Sequence, residues 1–92
     1  MKFEWDSKKN EINIRERGID FADAKEMFEH DLFVVPDTRK NYGENRFIGV
    51  GYIQNRLMVV IFTKRKMNSI RIISLRKANK REQAKFKTSI QN

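Results

Sequence analysis

The side chains in this chain that could do chemistry are cations: Arg46, Arg56, Lys64, Arg65, Arg71, Arg76, Lys77, Lys80 and Arg81. Arg71 and Arg76 are set into the apolar run Ile70 to Ala78, where Ile70 and Ile72 share one parity and Ile73 and Leu75 the other. Apolar side chains on both parities predict a strand in the middle of a sheet. Arg76 and Lys77 fall where that run stops, so the strand end would hold them rigidly against solvent. Guanidinium groups fixed in this way suit phosphate. They also suit the dianionic phosphorane that forms when a ribose 2′-hydroxyl attacks the adjacent phosphate. A lysine among other cations has a lowered pKa and can serve as acid or base.

Other chemistries lack their residues. There is no cysteine and a single histidine, which excludes thiol nucleophiles, thiolate zinc sites and a two-histidine ribonuclease mechanism. No Gly-x-Ser-x-Gly elbow, phosphate-binding Walker loop or zinc spacing occurs. His30 lies between Glu29 and Asp31 and reads as a solvated side chain at a helix end. The charge is also unevenly placed. Residues 1–45 hold eight Lys or Arg against eleven Asp or Glu; residues 46–92 hold twelve against one, Glu82. Cations concentrated on part of a small fold repel one another unless a polyanion or acidic partner relieves them.

The elements that must position these groups follow from periodicity. Ninety-two residues make a single domain, 1–92, large enough for a core without staples. Asp6 is a suitable N-cap for a helix over Ser7 to Arg17, which Gly18 ends. Asp20 can cap a second helix, whose Phe21, Ala24, Met27 and Phe28 share one face. Leu32 to Val35 reads as a short strand closed by Pro36, and Thr38 to Asn45 as a loop. Strands over Arg46 to Ile53 and Leu57 to Thr63 join through the tight turn Gln54-Asn55. Gly49 and Gly51 leave bare backbone for a close neighbour or a ligand. Lys64 to Asn68 reads as a basic hairpin loop into the organising strand. Asn79 and Glu82 then form a capping box, with Phe86 and Ile90 on one face of the last helix. The predicted architecture is α+β: two N-terminal helices, a four-stranded antiparallel meander and a C-terminal helix. Neither a secretory signal nor a membrane span is legible, so a cytoplasmic chain is expected.

Taken in order, these residues resemble the BrnT toxins of type II toxin–antitoxin systems, small ribonucleases with a RelE-like fold. The likeness runs through Phe3-Glu4-Trp5-Asp6, Lys9, Asn13, Gly18, Phe21, Ala24 and Phe28. It continues with Asp37, Arg39, Gly43-Glu44, Arg46, Ile48-Gly49, Thr63 and Arg65. Its most specific part is Ile70 to Ser74 followed by Arg76-Lys77-Ala78 and Glu82. Arg17 stands where the family usually has histidine, Leu75 where it has alanine, and Phe86 where it commonly has tyrosine.

The resemblance implies metal-independent RNA cleavage that inhibits translation, with no cofactor. It also implies a BrnA-like antitoxin of ribbon-helix-helix type, DNA contact only through that complex, and a possible toxin–antitoxin heterotetramer. The catalytic candidates are Arg46, Arg65, Arg71, Arg76 and Lys77. Lys64, Lys80 and Arg81 are RNA-binding candidates, and Lys9 joins them from the family pattern alone. Two alternatives stay open: a noncatalytic RNA- or ribosome-binding module, and an interaction domain with a basic surface for an acidic protein.

Overall fold

The computed structural model describes residues 1–91, and side-chain surroundings for residues 1–89. In chain order the elements are β1 (Lys2–Trp5), α1 (Ser7–Arg17), a 3-10 turn (Phe21–Asp23), α2 (Ala24–Glu29), β2 (Phe33–Pro36), β3 (Arg46–Ile53), β4 (Arg56–Arg65), β5 (Ser69–Lys77) and α3 (Lys80–Gln91). The strands form one sheet in the order β1-β5-β4-β3-β2. β2 to β5 are the expected antiparallel meander. The sheet nevertheless has five strands, because β1 joins β5 in parallel, Phe3 opposite Ile70 and Trp5 opposite Ile72. This corrects the four-stranded expectation. It also explains why β5 is apolar on both parities: β1 makes it an interior strand, whereas a bare meander would have left it on the edge.

Each face of the sheet has its own core. On one face Met58, Val60, Phe62, Ile70, Ile72 and Leu75 are buried with Ile19, Phe21, Ala24 and Met27, and Phe3, Trp5, Phe28 and Phe47 pack around them. On the other, Leu57, Val59, Ile61 and Ala78 are buried, with Ile48, Val50, Ile73 and Phe86 of α3 against them. Ile90, expected beside Phe86, lies outside the residues whose side chains are described.

The first helix is held by polar side chains. Asp6 caps α1 by accepting from the Lys8 and Lys9 backbone N–H groups, and Gly18 ends it at φ 68°. Its apolar stripe is thin, with Ile12 and Ile14 exposed. Asn10 supplies the attachment: its Oδ1 accepts the Phe21 backbone N–H at 2.8 Å and its Nδ2 donates to Asp20 at 3.0 Å. Asn13 donates to the Leu75 carbonyl at 3.1 Å, just beyond the last β5 residue that β1 pairs with. The side chain thereby ties α1 to the main chain of β5.

Several expected boundaries shift. Asp20 caps the 3-10 turn, and α2 proper has only six residues, although Phe21, Ala24 and Met27 are buried on one face as expected. β2 begins at Phe33, and Leu32 packs into the core. Leu32 also answers the glycine question: a Cβ on Gly49 would meet its Cδ1 at 3.1 Å and Val60 Cγ1 at 2.9 Å, so the bare backbone receives a neighbour. β4 extends to Arg65, leaving Lys66, Met67 and Asn68 as the turn, with φ 63° and 57° at the last two. Lys64 and Arg65 are therefore strand residues, not loop residues.

Candidate nucleic-acid interface

Strand register brings the distant arginines together. Arg46 of β3 pairs with Thr63 of β4, Thr63 with Arg71 of β5, and Arg71 with Glu4 of β1. Directly paired residues project from the same face, so Arg46 and Arg71 stand in one row across four strands. With Thr63 between them, their backbones are about 10 Å apart at the usual strand spacing. Arg65, two residues beyond Thr63, projects from that face as well. A bulge between Ile61 and Phe62 takes up one residue of β5 and leaves Arg76 opposite Val59, on the face that α3 partly covers.

Each of these arginines is held by a carboxylate. Arg46 Nε donates to Glu44 at 3.1 Å, and Arg65 Nη2 lies 3.5 Å from the other oxygen of Glu44. The Arg46 guanidinium also lies 4.3 Å from the centre of the Tyr42 ring, a cation–π contact. Arg71 Nη1 is 3.3 Å from Glu4. Arg76 meets Glu82 through two hydrogen bonds of 2.8 Å. That pairing raises the pKa of Arg76 and, together with the Asn79 backbone N–H, lowers that of Glu82 to about 2. Such pairs keep long side chains extended over the face, while their partial exposure leaves them open to exchange for a phosphate.

The loop from Asp37 to Asn45 is braced to carry Tyr42 and Glu44. Asp37 has a fully buried side chain and binds Arg39 through two contacts of 2.8 and 2.9 Å. The Arg39 side chain, more than burial, sets its pKa, which lies well below the usual carboxylate range. The Asp37 backbone donates to the Arg46 carbonyl at 2.8 Å, and Thr63 Oγ1 to the Asn45 carbonyl at 2.7 Å. Both ends of the loop are thus tied to the strands that carry the row.

The remaining candidates separate. Lys64, of opposite parity to Arg65, lies 5.0 Å over the Phe47 ring, at the rim near Glu44 and Arg65. Lys9 is in the first turn of α1 beside Asp6, whose pKa is lowered chiefly by the Lys9 backbone N–H, with smaller contributions from the Lys9 and Arg71 charges. Lys77 is not part of the row: it pairs with Met58 and lines a cavity at the far end of the sheet. Lys80 and Arg81 are exposed at the start of α3. His30 is the exposed C-cap residue of α2. Sequence reasoning had picked out neither Tyr42 nor Glu4 and Glu44 as site residues. Their signal was position, two residues before Arg46 for Glu44 and on the edge strand opposite Arg71 for Glu4.

A mixed five-stranded sheet, covered by α1 and α2 on one face and bearing a carboxylate-braced row of arginines beside α3 on the other, is a small α+β protein with a face suited to polyanions. Residues 5–82 match the family of BrnT ribonuclease toxins of type II toxin–antitoxin systems, and the chain belongs to that family. It is similar to the Brucella abortus ribonuclease toxin BrnT, whose crystal structure was determined at 1.1 Å. The identity is 30%, covering 87% of this chain and 99% of that one, with a TM-score of 0.70. Among curated protein sequences none matches. Among the described residues no helix is long and apolar enough to cross a membrane.

Proposed function

We propose that this chain is a cytoplasmic, metal-independent endoribonuclease toxin that cuts RNA to stop translation and is neutralised by a BrnA-like antitoxin. Arg46, Arg65 and Arg71 bind the scissile phosphate and stabilise the phosphorane formed as the 2′-oxygen attacks phosphorus and the 5′-oxygen leaves. The observation that carries this reading is the register Arg46, Thr63, Arg71, which sets two guanidinium groups from distant parts of the chain on one row. Arginine supplies the positive charge at the phosphate. The carboxylates beside the row, Glu4 and Glu44, are engaged by guanidinium groups, so no metal is assigned a role. Arg76, on the same face but four β4 residues from Thr63, would meet a neighbouring phosphate once that phosphate competes with Glu82 for it.

A noncatalytic RNA-binding module is the second reading, favoured by the place of the single histidine at the exposed end of α2 and not in the arginine row. One assay separates the two. The purified chain, freed of any antitoxin, is incubated with RNA in EDTA. Cuts that disappear in Arg71→Ala while RNA binding persists support the nuclease; binding by the unaltered chain without cuts supports the module. Each lost guanidinium should cost about 10²- to 10³-fold in rate, the usual effect of removing one transition-state donor.

A further inference from the structure

At the end of the sheet away from the arginine row, the β3–β4 turn and α3 enclose a cavity of about 420 Å³ lined by Tyr52, Asn55, Arg56, Leu57, Lys77, Ala78, Gln83 and Lys87. Three of these residues are cations and none is acidic. Arg56 and Lys77 form no ion pair with any described carboxylate, in contrast to Arg46, Arg65, Arg71 and Arg76. Arg56 also borders a second crevice lined by Asp23 and Glu26, so it stands on the ridge between an acidic hollow and a basic one. Tyr52 is held edge-to-face by Phe86 at 6.0 Å and remains 43% exposed.

Unpaired cations around a half-exposed aromatic ring suit a phosphate with a base attached. A carboxylate by itself would use only the cations. Single-stranded RNA uses both, and the volume lies within the range of ordinary small-ligand pockets. The distance is also suitable. From Thr63 in the row to Leu57 in the cavity is six strand residues, about 20 Å at a strand's rise. A stacked strand advancing about 3.4 Å per nucleotide covers this in about six nucleotides.

We propose that this cavity is a second RNA subsite, binding a nucleotide remote from the scissile phosphate, with phosphate on Arg56, Lys77 and Lys87 and base against Tyr52. The inference rests on the chain binding RNA at the arginine row, and the test keeps the two apart. The antitoxin-free chain is titrated with 2′-O-methyl RNA probes, one about three nucleotides long and one about ten, long enough to span both sites. Arg56→Glu combined with Lys87→Glu should weaken the long probe at least about tenfold and make its salt dependence shallower by about one, since each neutralised phosphate contributes about 0.7 on single strands. The short probe and its cleavable counterpart should be unaffected. Tyr52→Leu should weaken the long probe at least about fivefold, the lower limit for losing one stacked base.

Thermal melts check that the variants are folded, and Arg56→Gln with Lys87→Gln replaces the double glutamate if they are not. Unchanged long-probe affinity with an unchanged salt slope overturns the subsite. Loss of antitoxin binding with RNA affinity intact also overturns it and assigns the cavity to a protein partner. If Arg46→Ala also leaves both probes bound as before, the RNA reading of the row has failed instead.

Discussion

Glu82 receives Arg76 on both carboxylate oxygens, at 2.8 Å each, while one of those oxygens also accepts the Asn79 backbone N–H at 2.9 Å. One side chain therefore caps α3 and anchors an arginine of β5, coupling the helix to the sheet. Glu82→Gln keeps the shape and removes the charge. Both partners are about one third exposed, so solvent screens the pair, and the expected loss is about 1 kcal/mol.

The same carboxylate gives a pH signature. Its pKa falls from 4.5 to about 2 on folding. A depressed folded pKa contributes stability that is present above the unfolded value and lost as pH falls through the folded one. The stability gap between the unaltered chain and Glu82→Gln should hold from neutral pH down to about 5 and shrink between about 4.5 and 2. Thermal denaturation over that range measures it. A gap that does not vary with pH would show that the pair contributes through packing alone.

Asn10 is buried, and its side chain binds both the Phe21 N–H and Asp20. Asn10→Ala leaves the Phe21 N–H buried without its partner, which costs about 1–3 kcal/mol. Denaturant unfolding measures this. Ile12→Ala on the exposed side of α1 should stay within about 0.5 kcal/mol, because surface changes away from a cap or network do little.

What the sequence could and could not reveal follows from how local each signal is. The capping box at Asn79 and Glu82, the stop at Gly18 and the turn at Gln54-Asn55 are set by neighbours within a few residues, and all were legible. β1 was not: Lys2 to Trp5 is four residues long, and its partner lies more than sixty positions away. The two-sided apolar pattern of Ile70 to Leu75 did carry its trace, since an interior strand requires a neighbour on each side. In the candidate site, the arginines were visible by type. Their row was not, because register across β3, β4 and β5 depends on turn lengths and on the bulge after Ile61. Arg76 and Lys77 show the cost: opposite Val59 and Met58, both stand four or more strand residues from Thr63, and Lys77 lines the cavity at the other end.

Asp37 braces the loop that carries Tyr42 and Glu44, accepting from Arg39 Nε and Nη2 with a side chain that is fully buried. Asp37→Ala removes those contacts and should loosen residues 38–45 more than the sheet. The expected outcome is faster amide hydrogen exchange in the loop, a stability loss of about 1–3 kcal/mol and a drop in RNA cleavage. A loss of cleavage without faster exchange in the loop would argue against the bracing role.

Glu44 offers a test in which binding and chemistry move in opposite directions. Its two oxygens hold Arg46 at 3.1 Å and Arg65 at 3.5 Å, so it both orients those side chains and offsets part of their charge. Glu44→Gln removes one negative charge from the face, and a 2′-O-methyl RNA probe should bind about two- to fivefold tighter at low salt. The guanidinium groups would also lose their fixed orientation, and misplacement by about 1 Å can cost about 10²-fold in rate. Tighter binding with slower cleavage is therefore the expected pair of results. Tighter binding with an unchanged rate would make Glu44 only a charge on the surface, and weaker binding would mean that Arg46 and Arg65 reach phosphate only while this carboxylate holds them.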